Sequence, residues 1–181
     1  MRCNPATNPQ IKMILHELEC AKERTDSSDF LVGFPLENTI WYSCKLEYNE
    51  LESLFLFWDG NAWGEDVSIP PRRLDEGVLA FMQIANESSQ PNNVHLNQIK
   101  DWLNKYEESE IQNTESFLIL GGLDEKSPLL ILDGNHRASA ALWWAIKNGD
   151  RSKLPENAWI GLSQKMVCYQ YYWRIPQVQK R

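Results

Sequence analysis

Five consecutive residues, Asp133-Gly134-Asn135-His136-Arg137, hold most of the chemistry that the sequence offers. They lie between an apolar run, Leu129 to Leu132, and an Ala-rich stretch from Ala138 to Lys147. That order predicts a strand that ends in a glycine turn and opens directly into a helix. The start of such a helix presents backbone N–H groups and the positive end of the helix dipole, a combination suited to phosphate. Gly134 permits an unusual backbone angle and the close approach of a ligand. Arg137, in the first helical turn, supplies a guanidinium that grips phosphate oxygens in pairs. A cation is badly placed at a helix N-terminus unless an anion joins it there. His136 can donate a hydrogen bond, carry a proton or hold an oxyanion. Asp133 can orient His136 or hold a metal bound to phosphate. The expected phosphate cradle is Gly134, Asn135, His136, Arg137 and Ala138, with His136 and Asp133 as catalytic groups and Asp133 as metal ligand. Both His136 and Arg137 are expected to face the ligand and not the core. The plainer reading makes Asp-Gly-Asn an ordinary turn, with Asp133 or Asn135 as N-cap and the next two side chains exposed on the helix.

The other reactive residue types are scattered. Cys3, Cys20, Cys44 and Cys168 form no CxxC pair, so four reduced, mostly packed thiols are expected. His16, His95 and His136 are too far apart in the chain to suggest a zinc site. Arg72 and Arg73, in Ile69-Pro70-Pro71-Arg72-Arg73, read equally as a second clamp on phosphate or as part of a surface loop. Eight Trp residues are unusual. Trp58 and Trp63 bracket a Gly-containing loop, and Trp143-Trp144 fall on the predicted helix. Most should be packing, with one or two available to stack on a ligand.

The elements that must position these residues are those of an ordinary folded protein. With 181 residues there is room for one domain and a real core. Hydrophobic residues at 43% against charged residues at 24% exclude a disordered chain. The net charge of −7 excludes a generally basic surface for nucleic acid, so duplex DNA is not an expected partner. No apolar run approaches the roughly 18 residues needed to cross a bilayer. The segment Met1 to Pro5 lacks the apolar stretch of a signal peptide. A cytoplasmic protein with no membrane partner is therefore expected.

Along the chain, Asn8-Pro9 opens a helix with Ile11, Ile14, Leu15, Leu18 and Ala21 on one stripe, and the polar run from Lys22 to Asp29 ends it. Residues 1–36 read as a helical appendage, docked on the main domain or used as a dimer contact. Residues 37–181 read as the main domain. Thr39 to Leu46 is strand-like, Tyr48 to Ser53 a turn or short helix, and Leu54 to Trp58 a second apolar run. Ile69 to Arg73 is extended because of its prolines. Helices are predicted over 75–85 and 96–106. Strands are predicted at 117–120, 129–132 and 158–162, with a helix over 138–147 between the last two. Val167 to Arg174 is aromatic-rich and β-prone. The sum is a compact α+β arrangement.

Ile131-Leu132-Asp133-Gly134-Asn135-His136-Arg137-Ala138-Ser139-Ala140-Ala141 resembles the signature of the ParB/sulfiredoxin superfamily. The resemblance covers residues from about 94 to 163 and implies a small mixed sheet with flanking helices. The position of the cysteine in the sulfiredoxin Gly-Cys-His-Arg pattern is Asn135 here, which sets peroxiredoxin repair aside. ParB partition proteins carry Gly-Glu-Arg-Arg-type motifs and a following DNA-binding domain, for which too few residues remain. The Asp-Gly-His-His-Arg of the free-serine kinases is the most similar, with Asn135 in place of the first His. Small plasmid proteins of the Osa type form a further branch, linked to ATP hydrolysis and DNA cleavage.

The resemblance implies a nucleotide, ATP or ADP with Mg2+, at this loop and a small-molecule or protein acceptor. It implies an ATP- or ADP-dependent phosphotransferase or a nucleoside triphosphate hydrolase. A nuclease acting on DNA and a non-catalytic, nucleotide-dependent interaction module stand as alternatives. Phosphoryl transfer also needs a carboxylate to take the acceptor's proton. In the serine kinases it comes from the N-terminal part of the domain, which here offers Glu47, Glu50 and Glu52. Glu50 is the expected base, and a solvated acidic turn is the plain reading of all three.

Overall fold

The computed structural model describes residues 1–24, 33–58, 60–64, 70–87, 93–108 and 117–179. Ile69 and most of the polar run expected to end the first helix lie outside them, as does Asp59 in the Gly-containing loop between Trp58 and Trp63.

Five strands form one mixed sheet in the order β1-β2-β5-β3-β4. They are β1 (Arg2–Pro5), β2 (Ile40–Lys45), β3 (Phe117–Gly122), β4 (Leu130–Asp133) and β5 (Asn157–Leu162). β3 runs parallel to β5 and antiparallel to β4, while β2 is antiparallel to both β1 and β5. Helices α1 (Asn8–Arg24), α2 (Tyr48–Glu52), α3 (Leu74–Asn86), α4 (Val94–Glu107), α5 (Asn135–Asn148), α6 (Gln170–Trp173) and α7 (Pro176–Gln179) complete the α+β fold.

Alternation along the strands divides the core into two layers. Leu118, Leu120, Ile131, Ala158 and Ile160 face α3, α4 and α5. Ile119, Leu130, Leu132, Trp159 and Trp41 face α1 and the C-terminal segment. Ile14, Leu18 and Ala21 of α1 are buried in that second layer, so the apolar stripe of the first helix packs within its own chain. The preceding β1, not foreseen in the sequence, adds an exposed edge strand.

Two expectations are corrected. Cys3 and Cys44 sit directly opposite one another on β1 and β2 and form a disulfide, leaving Cys20 and Cys168 as free thiols. Forty residues separate them in sequence, so only the strand pairing brings the two together. The β-prone segment 167–174 is helical, with a 3-10 turn over Gln164–Cys168 followed by α6. Met166, Tyr169, Tyr172, Ile175 and Val178 are all buried. That period of three is helical, and burial of the aromatic side chains outweighs their β-propensity.

The apolar run 54–58 is not a regular strand. Phe55 bridges Arg73 on one side and Leu130 of β4 on the other. Phe55 N–H donates to Leu129 O and Ile131 N–H to Phe55 O, both at 2.8 Å. The run thus lines the outer edge of β4 and ends beside the start of α5. Among the described residues, no helix is long and apolar enough to cross a membrane.

Candidate functional site

The strand-turn-helix expected at 130–138 is present. Gly134 has φ +95°, in the left-handed region, and α5 starts at the next residue. A Cβ on Gly134 would lie 2.6 Å from Leu118 Cδ2 and 3.2 Å from Arg137 Nη2, so both backbone angle and space call for glycine. Helix geometry leaves the amides of Asn135, His136 and Arg137 without an intrahelical carbonyl. Ala138 does not join them. Its N–H donates to Gly134 O at 2.8 Å, the first bond of the helix ladder, and the residue is fully buried. Asp133 closes β4 opposite Ile119, where the β3–β4 register shifts, and is half-buried.

Asn135 has a structural task for its side chain. Its Oδ1 accepts from Phe57 N–H at 3.1 Å and its Nδ2 donates to Ile131 O at 3.2 Å. The buried amide therefore pins the 54–58 run to the turn. Asn93 does the equivalent at α4. Its Oδ1 caps the helix through Leu96 N–H at 2.9 Å, and its Nδ2 donates to Ala62 O at 2.8 Å. Each helix start is thus tied by an asparagine to the segment that carries Trp58 and Trp63.

Arg137 is half-buried, and its guanidinium folds back over Gly134, with Nη2 donating to Phe117 O at the start of β3. It therefore supports the sheet as well as standing beside the turn, and the expectation that it faces only a ligand is corrected. Tyr106 Oη reaches Arg137 O at 3.4 Å from α4. Burial pushes the Tyr106 hydroxyl up to about 12, so it stays a neutral donor.

His136 meets a residue that sequence reasoning left aside. His95 Nδ1 and His136 Nε2 are 3.0 Å apart, and the two rings are nearly parallel at 20°. Both histidines are the second residue of their helices. α4 and α5 lie side by side in the same direction, since the pair joins their N-terminal ends while Lys147 Nζ and Glu107 Oε1 approach to 3.9 Å at the far ends. Trp58 covers both imidazoles, with ring centroids 4.6 Å from His95 and 4.7 Å from His136. Phe81 and Trp63 buttress the indole from α3 and from a 3-10 turn, Gly60–Trp63. Burial, then the neighbouring His95, push the His136 imidazole down to about 3, so it is neutral at physiological pH. The one signal in the sequence was a shared pattern: Asn93 and Asn135 each begin a helix, and a histidine follows within two residues.

The remaining candidates lie apart from this cluster. Glu50 is the third residue of α2, where its carboxylate accepts from Glu47 N–H at 2.8 Å and closes a capping box. It also pairs with the Met1 amine and lines a cavity of about 440 Å³ with Cys3, Tyr42, Cys44 and Leu129. None of these contacts reaches the 133–138 turn, so the structure does not bring Glu50 to the motif. Arg73 pairs with Asp75 at 2.9 Å, at the start of α3. Arg72 stacks over Trp63 at 4.9 Å and so adjoins the aromatic cluster. Among the described residues, no group of three or more His, Cys, Asp or Glu side chains is arranged to hold a metal ion.

No protein-family model, curated protein or solved structure matches this chain.

Proposed function

We propose that this chain is a ParB/sulfiredoxin-like domain that binds a nucleoside di- or triphosphate, ATP or ADP with Mg2+, and cleaves or transfers its terminal phosphoryl group. One observation carries the reading: α4 and α5 begin at the same point, so two positive helix ends, the Gly134 turn and the Arg137 guanidinium gather there. Such a focus of partial and formal positive charge favours an anion with several oxygens. The order of α4, β3, β4, α5 and β5 agrees with the resemblance in the sequence.

In this reading the amides of Asn135, His136 and Arg137 hold phosphate oxygens. Gly134 lets the phosphate approach the backbone, and Arg137 adds charge. Neutral His136 donates or accepts one hydrogen bond without competing for the anion's counter-charge. Asp133 is a single carboxylate, which suits Mg2+, because that ion usually takes one or two carboxylates and fills its shell with phosphate and water. The ion supplies neutralisation of phosphate charge. The acceptor is water or a small hydroxyl compound.

Thermal melting against ATP, ADP, CTP and GTP, with and without Mg2+, tests the reading. A ligand at 100 times its Kd stabilises the native state by about 2.7 kcal/mol, so a clear rise with at least one nucleotide is expected. No rise with any of them at millimolar concentration sinks it. Sub-micromolar binding to duplex DNA at about physiological salt, with nicking lost on mutating the motif, would replace it with the nuclease reading.

A further inference from the structure

We propose that His95 and His136 form one charge-neutral proton relay, in which His95 is the partner through which His136 passes on the proton of the phosphoryl acceptor. The relay rests on the nucleotide reading for its use, but its geometry stands alone. The facing atoms are His95 Nδ1 and His136 Nε2, 3.0 Å apart. Between two neutral imidazoles at that distance, one nitrogen must donate and the other accept. If His95 Nδ1 donates, His136 must carry its own proton on Nδ1. If His136 Nε2 donates, His95 must carry its own on Nε2. The two rings therefore always share one tautomer, and a change in one forces the same change in the other.

That coupling gives the acceptor's proton a route out of the site. The expected carboxylate base, Glu50, is engaged at α2. A lone imidazole would have to hold that proton as a cation largely removed from water beneath Trp58, which desolvation opposes. Passing the proton on avoids the cation. Starting with both rings protonated on Nε2, His136 Nδ1 takes the proton of the acceptor hydroxyl as its oxygen attacks phosphorus. The Nε2 proton of His136 crosses to His95 Nδ1, and His95 Nε2 releases its proton to water. An O–P bond forms, the bond to the leaving phosphate breaks, and the nucleoside diphosphate departs with the electron pair. The relay ends with both rings protonated on Nδ1 and no change of charge.

Long-range 15N–1H correlation spectra of the 15N-histidine protein at neutral pH read the tautomers directly. The relay predicts that His95 and His136 report the same tautomer, both neutral. Opposite tautomers, or an imidazolium in either ring, overturn it. Phosphate release from ATP·Mg2+ tests its use. His95→Phe keeps a ring beneath Trp58 but removes both nitrogens, and should lower kcat by about 100-fold or more with KM for ATP within about threefold of wild type. Added imidazole should restore part of the turnover in His95→Ala, as a merely structural role would not allow. An unchanged kcat in a folded His95→Phe, or a loss confined to KM, overturns the relay while leaving nucleotide binding intact. Wild-type protein that binds no nucleotide, with both rings in one tautomer, overturns instead the phosphate reading and the use assigned to the relay.

Discussion

At Gly134, two demands fall on one residue. The φ of +95° strains any side chain, and a Cβ would meet Leu118 at 2.6 Å inside the first core layer. Gly134→Ala should therefore destabilise the fold by about 1–3 kcal/mol, read as a lower urea midpoint with an unchanged m-value. A variant as stable as wild type would show that the turn does not need glycine. His136 gives a second prediction. Its folded imidazole titrates at about 3 against an ordinary 6.5. The unfolded chain therefore takes up a proton below pH 6.5 that the folded chain refuses. Stability from this site is complete above pH 6.5 and declines as pH falls towards 3, by at most about 1.4 kcal/mol per pH unit. Urea midpoints at pH 7 and pH 4.5 should fall further for wild type than for His136→Gln, and parallel falls would contradict the assigned burial. At this scale the sequence is a good guide to residues whose role is local. Gly134 and the helix start after it follow from their neighbours alone. His95 does not, because its partner is 41 positions away and nothing in the intervening pattern registers the two against each other.

The elements show the same division. β2, β3, β4, β5, α3, α4 and α5 are legible in apolar periodicity and turn residues, within a few positions at each end. α5 begins three residues before its Ala-rich run because Gly134 ends the strand abruptly. β1 is not legible, since four exposed residues carry no apolar alternation. The C-terminal segment misleads because tyrosine and valine favour strands, while their period of three, visible only once burial is known, is helical. The disulfide depends on β1 and is hidden with it. It closes a loop across a sequence separation of 41, for which chain entropy gives a stabilisation of about 4 kcal/mol. Thiol titration of the native protein should find the Cys20 and Cys168 sulfhydryls only, and two more after unfolding in reductant. Reductant should also lower the denaturation midpoint, and Cys3→Ser should reproduce that loss. Four titratable thiols without reductant would contradict the pairing.

On the scale of the whole molecule, the sheet separates two kinds of surface. One face is filled by α1 and the C-terminal segment, closing it with aromatic and aliphatic packing. The other carries α3, α4 and α5, and the starts of α4 and α5 bring Asn93, His95, Asn135, His136 and Arg137 together at the end of β4. The net charge of −7 makes this local gathering of positive helix ends stand out from its surroundings. Titration of the 15N-labelled protein with ATP·Mg2+, followed by amide chemical shifts, tests the proposed nucleotide site most directly. The largest saturable shifts should fall on the backbone amides of Gly134, Asn135, His136 and Arg137, with smaller ones at Val94 and His95. Shifts confined to the cavity around Tyr42, Cys44 and Glu50, or no saturable shift at millimolar nucleotide, would contradict a phosphate site at the start of α5.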